Sequence, residues 1–507
     1  MSAASAVVVG SGPNGLAAAI TLARAGVEVT VLEAADRSGG AVATEELTLP
    51  GFKHDVYSAV YPATAASPVF SRWPLERHGL RWIHPRYCYA HPVADDRAAV
   101  LARDPAETAA SLDALHPGDG AAWQAFSRPY VEHFGAWRDL MLRGFPPVRG
   151  AARTLVAHGV AGSLDVAKLL LMPAQALAEG MFAHEGSRAW LYGAAMHGDV
   201  PPGGPGSAIA ATHLNVMGHA VGWPSPEGGA GRLAEALASY LRQLGGTIRT
   251  SAPVTRLHVT GGRVTAAEVA GEERVPARLV VADVTPAGLL RLAGDALDAR
   301  YARHLRAYRA GPSTLKVDWA LSGPIPWTAP EARQAGTVHV GGTAGEVLEA
   351  LAPQGSGLHE RPFMLLGQQS IADPTRAPAG SHTAWAYTHG PHEADWAGET
   401  DRHVERMEAQ VERFAPGFRD RILARHVLGP ADLERSNANL TAGDVGAGSY
   451  ELDQVVFRPV PSLSPYRTPV RGLYIGSAST FPGGAVHGVP GDAAARVALL
   501  ERRLRRV

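Results

Sequence analysis

Ala6-Val7-Val8-Val9-Gly10-Ser11-Gly12-Pro13-Asn14-Gly15 is the stretch that decides the fold. An apolar run is followed at once by a glycine-rich turn, then by an Ala-rich helical stretch, then by Val29-Thr30-Val31-Leu32 ending in Glu33. A strand, a glycine turn, a helix and a second strand closed by an acid form the pattern that holds the ADP half of a dinucleotide. Gly10 permits the tight turn, Gly12 lets the backbone approach a pyrophosphate, and Gly15 lets the helix pack close to the strand. Pro13 and Asn14 open the helix, whose free N–H groups face the phosphates. Glu33 lies eighteen residues past Gly15, where a carboxylate accepts hydrogen bonds from ribose hydroxyls and repels a 2′-phosphate. That favours FAD or NAD over NADP.

The 507 residues suffice for two or three domains, and 46% hydrophobic with 19% charged residues fits an ordinary soluble globular protein. A net charge of −1 points away from a nucleic-acid partner. Only three of the 47 basic residues are Lys (Lys53, Lys168, Lys316), a bias expected of a GC-rich bacterial genome. The single cysteine, Cys88, reads as a small buried hydrophobe and rules out a dithiol redox mechanism. No charged region or cleavage site precedes the first strand, so the expected location is cytoplasmic. Residues 164–182 form the most apolar stretch, interrupted by Asp165, Lys168, Pro173 and Glu179. Its pattern favours a core helix, with a peripheral membrane contact as the alternative. No metal-ligand spacing is present, so no metal is expected.

The expected fold class is α/β: a discontinuous Rossmann-like FAD-binding domain joined to a mixed α+β substrate domain with a helical cap. The first domain is assigned to 1–70, 205–290 and 425–507, and the second to 71–204 and 291–424. In the second cofactor segment, Gly222-Trp223-Pro224-Ser225-Pro226-Glu227-Gly228-Gly229 precedes a helix. Strands at 254–259 and 264–269 flank Gly261-Gly262 and read as a hairpin, and 279–283 is a buried strand. The third segment runs from the Gly472–Gly476 strand through a glycine loop to a closing helix at 492–503. Residues 70–205 read as mostly helical. Residues 290–425 mix strands at 314–321, 363–367 and 383–389 with a helix at 402–414.

Together with the N-terminal turn and Glu33, several motifs resemble those of phytoene desaturase-related flavoproteins, within the flavin amine oxidase/phytoene desaturase superfamily. They are Arg37-Ser38-Gly39-Gly40, Gly51-Phe52-Lys53-His54-Asp55, Pro226-Glu227-Gly228-Gly229, Ala252-Pro253-Val254 and Ser479-Thr480-Phe481-Pro482-Gly483-Gly484. The resemblance implies FAD bound without a covalent link and hydride transfer from a largely apolar, lipid- or isoprenoid-like substrate. By position it implies that Glu33 holds the adenosine ribose and that Arg37, Gly39 and Gly40 lie by the pyrophosphate and ribityl chain. It also implies that the Val254 backbone meets the adenine edge, and that Gly476, Gly484, Val486 and Asp492 lie along the flavin and its phosphates. Two positions depart from the family pattern: Phe481 stands where a His is common, and Ala41 where an Arg is common.

His487, inside the 483–491 loop, reads either as a proton donor beside the flavin or as a loop histidine fixing its turn by a backbone bond. His389 ends an apolar strand and is the second catalytic candidate, set against a structural role. Trp385 and Tyr387 read as core residues, or as walls of an aromatic box for an amine. No second glycine fingerprint follows a strand, so the electrons are expected to leave to oxygen, a quinone or another external acceptor, or to return to the substrate in an isomerisation. The expected function is that of an FAD-dependent dehydrogenase or desaturase. A flavin amine oxidase is the enzymatic alternative, and a non-catalytic binding protein the alternative of another class.

Overall fold

Five short strands rich in β-branched residues build the first sheet of the computed structural model, which describes residues 5–505 apart from 94, 95, 272, 353, 354 and 356. They pair in parallel in the order Leu473–Ile475, Leu279–Ala282, Ser5–Val9, Glu28–Leu32, Thr247–Arg249. Glu28–Leu32, the next strand in sequence, thus lies on one side of Ser5–Val9 and the distant strand Leu279–Ala282 on the other. The C-terminal ends of the central strands open at such a switch point, where these sheets bind ligands. Pro13 begins the helix Pro13–Arg24 and every residue from Gly15 to Leu22 is buried. Helix Val489–Arg505 lies against it. A Cβ on Gly491 would fall 1.8 Å from the Asn14 carbonyl oxygen, so the two helix starts touch backbone to backbone.

Gly261 and Gly262, both at positive φ, turn Val254–Thr260 back onto Arg263–Val269, and Glu273–Pro276 adds a third antiparallel strand. A separate seven-stranded sheet has the order Ile422–Leu428, Ser313–Leu321, His382–Gly390, Met364–Gly367, Ala335–Val340, Tyr87–Pro92, Ala98–Ala102. Leu315, Val317, Trp319, Leu366 and Ala386 pack with Val404, Met407 and Val411 of helix Trp396–Phe414. Lys316, Asp318, Trp385, Tyr387 and His389 occupy the opposite face, because strand residues alternate. There Lys316 and Asp318 form a buried ion pair, with His54 Nδ1 3.6 Å from Asp318.

Residues 70–205 are not mostly helical at their start: Tyr87–Pro92 and Ala98–Ala102 form the edge of the large sheet. Both strands are buried on both faces almost throughout, so they lack the polar alternation that marks a half-buried strand.

The apolar stretch at 164–182 is also not a core helix. It divides between helices Val148–Leu171 and Ala174–Met181 at Met172-Pro173. Only 17% of the most apolar window of Val148–Leu171 is buried. Hydropathy is the same for a core and a surface helix; the neighbours decide, and here one side has none.

Arg376, in the connection between strands Met364–Gly367 and His382–Gly390 of the large sheet, ties that connection to the short strand His54–Asp55. Its Nε donates to Asp373 (2.8 Å) and its Nη1 to Asp55 (3.0 Å), all three side chains being buried. Asp55 also accepts the Ala230 N–H and Asp373 the Gly228 N–H, at the approach to helix Gly231–Gln243. The Gly51–Asp55 and Pro226–Gly229 motifs are thereby held by one cation. Arg376→Met strands two buried carboxylates. It is expected to cost about 3–5 kcal/mol, read as a lower urea midpoint at unchanged slope.

Candidate functional site: a dinucleotide cradle and an apolar cavity

The glycine turn is built at backbone contact distance. The Gly10 N–H donates to the Leu32 carbonyl (2.8 Å), and a Cβ on Gly15 would lie 2.1 Å from the Gly10 oxygen. Gly39 donates its N–H to the Ser11 carbonyl (3.1 Å), and a Cβ on Gly40 would lie 3.0 Å from Gly12 Cα. The Arg37–Gly40 loop therefore rests directly on the turn. The N-cap residue Gly12 supplies no side-chain cap to helix Pro13–Arg24. Its N–H groups present partial positive charge, the environment an anion selects.

Glu33 Oε2 accepts from Ser11 N–H (2.7 Å) and Oγ (2.6 Å), and Oε1 accepts from Ala35 N–H (2.9 Å). Its carboxylate keeps acceptor capacity for a ribose, since each oxygen carries two lone pairs. The Glu33 carbonyl accepts the Ala252 N–H and the Ala35 carbonyl the Ser251 N–H, both at 2.7 Å. These two bonds bring Val254 to the Glu33 end of the turn.

A second carboxylate reaches the turn. Asp283, at the end of the Leu279–Ala282 strand, accepts the Gly15 N–H at 2.8 Å. Burial pushes its carboxyl up to about 7, the Glu33 charge adding to the rise and the Gly15 N–H opposing it. The turn thus holds an anion-type acceptor of the protein's own.

Gly476 donates its N–H to the Ala282 carbonyl (3.0 Å), which sets the third segment at the same sheet edge. Beyond it the Gly484 N–H donates to Tyr450 Oη (2.6 Å), and the Arg458 guanidinium lies over the Tyr450 ring at 4.6 Å. Ala485 and Val486 both hold positive φ, +80° and +54°. That conformation is costly for a β-branched residue and concentrates at functional sites. Thr64 Oγ1 bonds the Val486 carbonyl, and Ser67 Oγ the His487 carbonyl at 2.7 Å.

Several residues singled out above have other partners. His487 Nδ1 accepts the Val489 N–H at 3.2 Å and burial pushes its imidazole down to about 4, so it stands neutral and fixes the start of the closing helix. Asp492 bonds Thr21 (2.7 Å), Arg496 (2.7 Å) and Arg72 (3.3 Å). Arg37 is half-exposed and paired with Glu45.

On the large sheet, His389 Nδ1 lies 3.1 Å from Thr314 Oγ1, and Nε2 lies 3.0 Å from Asp199 Oδ1 in an off-line contact. A small cavity, with room for about one water, is lined by Met196, Leu351, Phe363, Leu365, Tyr387, Thr388 and His389. Asp199 itself holds φ +54°. A Cβ on Gly446 would lie 2.7 Å from Asp199 Oδ2, and one on Gly484 would lie 3.2 Å from the Gly446 oxygen. The His389–Asp199 pair is therefore one glycine away from the Gly484 edge. Trp385 and Tyr387 are parallel within 6° at a centroid separation of 5.9 Å. A guest ring between them would need about 7 Å, two van der Waals contacts. They form a packed stack.

Asp199, Tyr450 and Arg458 carry no motif, and no sequence signal picks them out. Asp283 carries one: an acid at the C-terminal end of a buried parallel strand, where ligands bind.

This arrangement defines a dinucleotide-binding oxidoreductase with a second, larger sheet. The family model for flavin containing amine oxidoreductases matches residues 93–497, and that for an NAD(P)-binding Rossmann-like domain matches 8–73. The chain belongs to the flavin containing amine oxidoreductase family, within the superfamily that includes the phytoene desaturases, and is a flavin-dependent enzyme. It is 29% identical to pyridine nucleotide-disulfide oxidoreductase domain-containing protein 2 of Rattus norvegicus, over 97% of this chain and 92% of that one. It is 24% identical to a limonene dehydrogenase subunit of Castellaniella defragrans, over 95% and 91%. It is also 24% identical to a lycopene-forming phytoene desaturase of a Paracoccus species, over 97% and 96%. Among solved structures, an oxidoreductase from Methanosarcina mazei matches at TM-score 0.65 with 16% identity, covering 98% of this chain and 100% of that one. Putrescine oxidase bound to putrescine matches at 0.62 with 18% identity, covering 99% of each. Enzyme membership removes the non-catalytic alternative. Cys88 is buried and its thiol is pushed up to about 12 by that burial, so the disulfide chemistry in the rat protein's name has no counterpart here.

Proposed function

We propose that the chain is an FAD-dependent dehydrogenase or desaturase that removes hydrogen from a largely apolar substrate. The observation that carries this reading is the lining beside His389, apolar at Met196, Leu351, Phe363 and Leu365 and polar only at Tyr387 and Thr388. When bound, FAD supplies the two-electron acceptor that takes a hydride from a substrate C–H bond. The cradle around Gly10, Gly12, Gly15, Gly39 and Gly40 would hold its diphosphate and Glu33 its ribose. Cys88 lies in the large sheet with its thiol on the Gly218 carbonyl (3.8 Å), in keeping with cofactor held without a covalent bond. Forming a C=C bond also releases a proton from the neighbouring carbon. His389 Nε2 accepts it, and Asp199 stabilises the resulting imidazolium. The electrons then pass to oxygen, a quinone or another external acceptor.

Asp199→Asn is expected to lower kcat about 100-fold while flavin content and melting temperature stay near those of the parent. A rate within twofold of the parent would remove the pair from the mechanism. The amine oxidase reading draws on Asp199, a carboxylate able to meet an ammonium group, although the Trp385–Tyr387 stack leaves no slot for one. Product analysis separates the two. Desaturation yields a new C=C bond from an apolar substrate, whereas amine oxidation yields peroxide and an imine or aldehyde. Turnover of amines alone would overturn the proposal.

A further inference from the structure

Helix Val148–Leu171 shows water a face of large aliphatic side chains. Val148, Leu155, Val156, Val160, Leu164 and Leu171 are all exposed, Val156 by 88% and Val160 by 69%. A water-facing helix surface is normally polar. Contiguous apolar exposure on this scale marks a partner or a membrane.

The way the helix is mounted decides how it meets that partner. At its N-terminal end the Phe145 N–H donates to Tyr466 Oη (2.9 Å), which donates on to the Phe481 carbonyl (3.0 Å). At its C-terminal end the Met172 carbonyl accepts the Ala208 N–H (3.1 Å), and the Ala174 N–H donates to Ser207 Oγ (2.7 Å). Midway, Gly159 departs from helical geometry at φ +65°, ψ −171°. A segment anchored at both ends and broken in the middle is unsuited to crossing a bilayer. It can lie in the interface with its apolar side down.

The patch leads to the site. Phe457 is 49% exposed, and its ring meets that of Phe145 at a centroid distance of 5.9 Å. Phe145 in turn meets Phe481 at 5.1 Å. Phe481 belongs to the Ser479–Gly484 stretch at the cofactor edge. Residues 138–171 carry four Arg and one Lys against two Asp, in a chain of net charge −1. Arg149 and Lys168 are exposed. That excess repels a second copy of the same face and attracts an anionic surface.

We propose that this face, continued by Phe457, docks on the surface of an anionic lipid bilayer. An apolar substrate would then pass from the acyl region along Phe145 to the Phe481 edge; this last clause rests on the proposed function, whereas docking does not.

Flotation of the flavin-loaded full-length protein with vesicles tests it, using phosphatidylcholine alone and phosphatidylcholine with 30% phosphatidylglycerol. Binding to the mixed vesicles is expected, weaker in high salt. The double variant Val156→Asp/Val160→Asp is expected to lose at least about tenfold in partitioning while keeping its flavin and melting temperature. The milder Arg149→Gln/Lys168→Gln pair should weaken binding at moderate salt only. Overturning results are no flotation of the parent, equal flotation on both vesicles, or a dimer by light scattering that the double variant dissolves. None of these readouts depends on turnover, so failure here is distinguishable from failure of the dehydrogenase reading.

Discussion

Gly15→Ala is expected to yield a colourless protein, with flavin affinity reduced more than about 100-fold and stability lowered by about 3 kcal/mol or more. The added methyl would lie 2.1 Å from the Gly10 carbonyl oxygen and 3.0 Å from its carbon. Both are backbone atoms of a turn tied to Leu32 through the Gly10 N–H, so no rotamer change relieves the contact. The turn must open or the helix must shift, and either movement carries the first-turn N–H groups away from the Arg37–Gly40 loop. Gly180→Ala is the matched control. A Cβ there meets nothing within 4 Å in helix Ala174–Met181, and alanine should be neutral or stabilising by up to about 1 kcal/mol. Visible flavin absorbance and a thermal melt read both. A yellow Gly15→Ala protein with parental melting temperature would refute the turn's role.

The second large effect is a pH dependence centred on Asp283. Its carboxyl is raised from 3.8 to about 7 by burial, with Glu33 adding to the rise and the Gly15 N–H opposing it. The folded protein therefore keeps a proton that the unfolded chain has released. The contribution is full below pH 4 and is lost as pH rises through 7, by at most about 4 kcal/mol. Asp283→Asn keeps an acceptor for Gly15 without the charge. It should melt like the parent at pH 4 and above it at pH 8. A diphosphate brought to the same turn raises the carboxyl further, so binding takes up a proton above pH 7. The affinity of the apoprotein for FAD should then fall by up to about tenfold per pH unit, and Asp283→Asn should flatten that slope. Equal slopes in the two proteins would place Asp283 outside the site.

Local signals make much of the framework legible. The run Ala6–Gly15 has strand, turn and helix in register, and Gly261-Gly262 sits between alternating segments; each pattern is dictated within a dozen residues. The strand at 314–321 is readable because Thr314, Lys316 and Asp318 alternate with apolar residues in the sequence, although the whole strand is buried. The strands beginning at Tyr87 and Ala98 carry no such alternation, and their burial on both faces demands none. Helix Val148–Leu171 reads as core in the sequence because hydropathy records what a residue prefers and not what covers it. At the site, the glycines and Glu33 announce themselves. Asp199 meets His389 across 190 residues, and Arg376 meets Asp55 across 321. Pairings at such separations follow from the finished topology alone. His487 shows the converse: a suggestive loop histidine whose Nδ1 is taken by the Val489 N–H.

The central claim is that three distant stretches of chain grip one flavin adenine dinucleotide. An equilibrium titration of the deflavinated full-length protein with FAD tests it most directly, followed by denaturation and identification of the released cofactor. One FAD per chain, recovered unmodified, is the predicted result. It should be lost in Gly15→Ala and again in Gly491→Ala, whose methyl would strike the Asn14 carbonyl from the third stretch. A folded parent protein that takes up no FAD, or a Gly491→Ala protein that binds it as tightly as the parent, would contradict the claim.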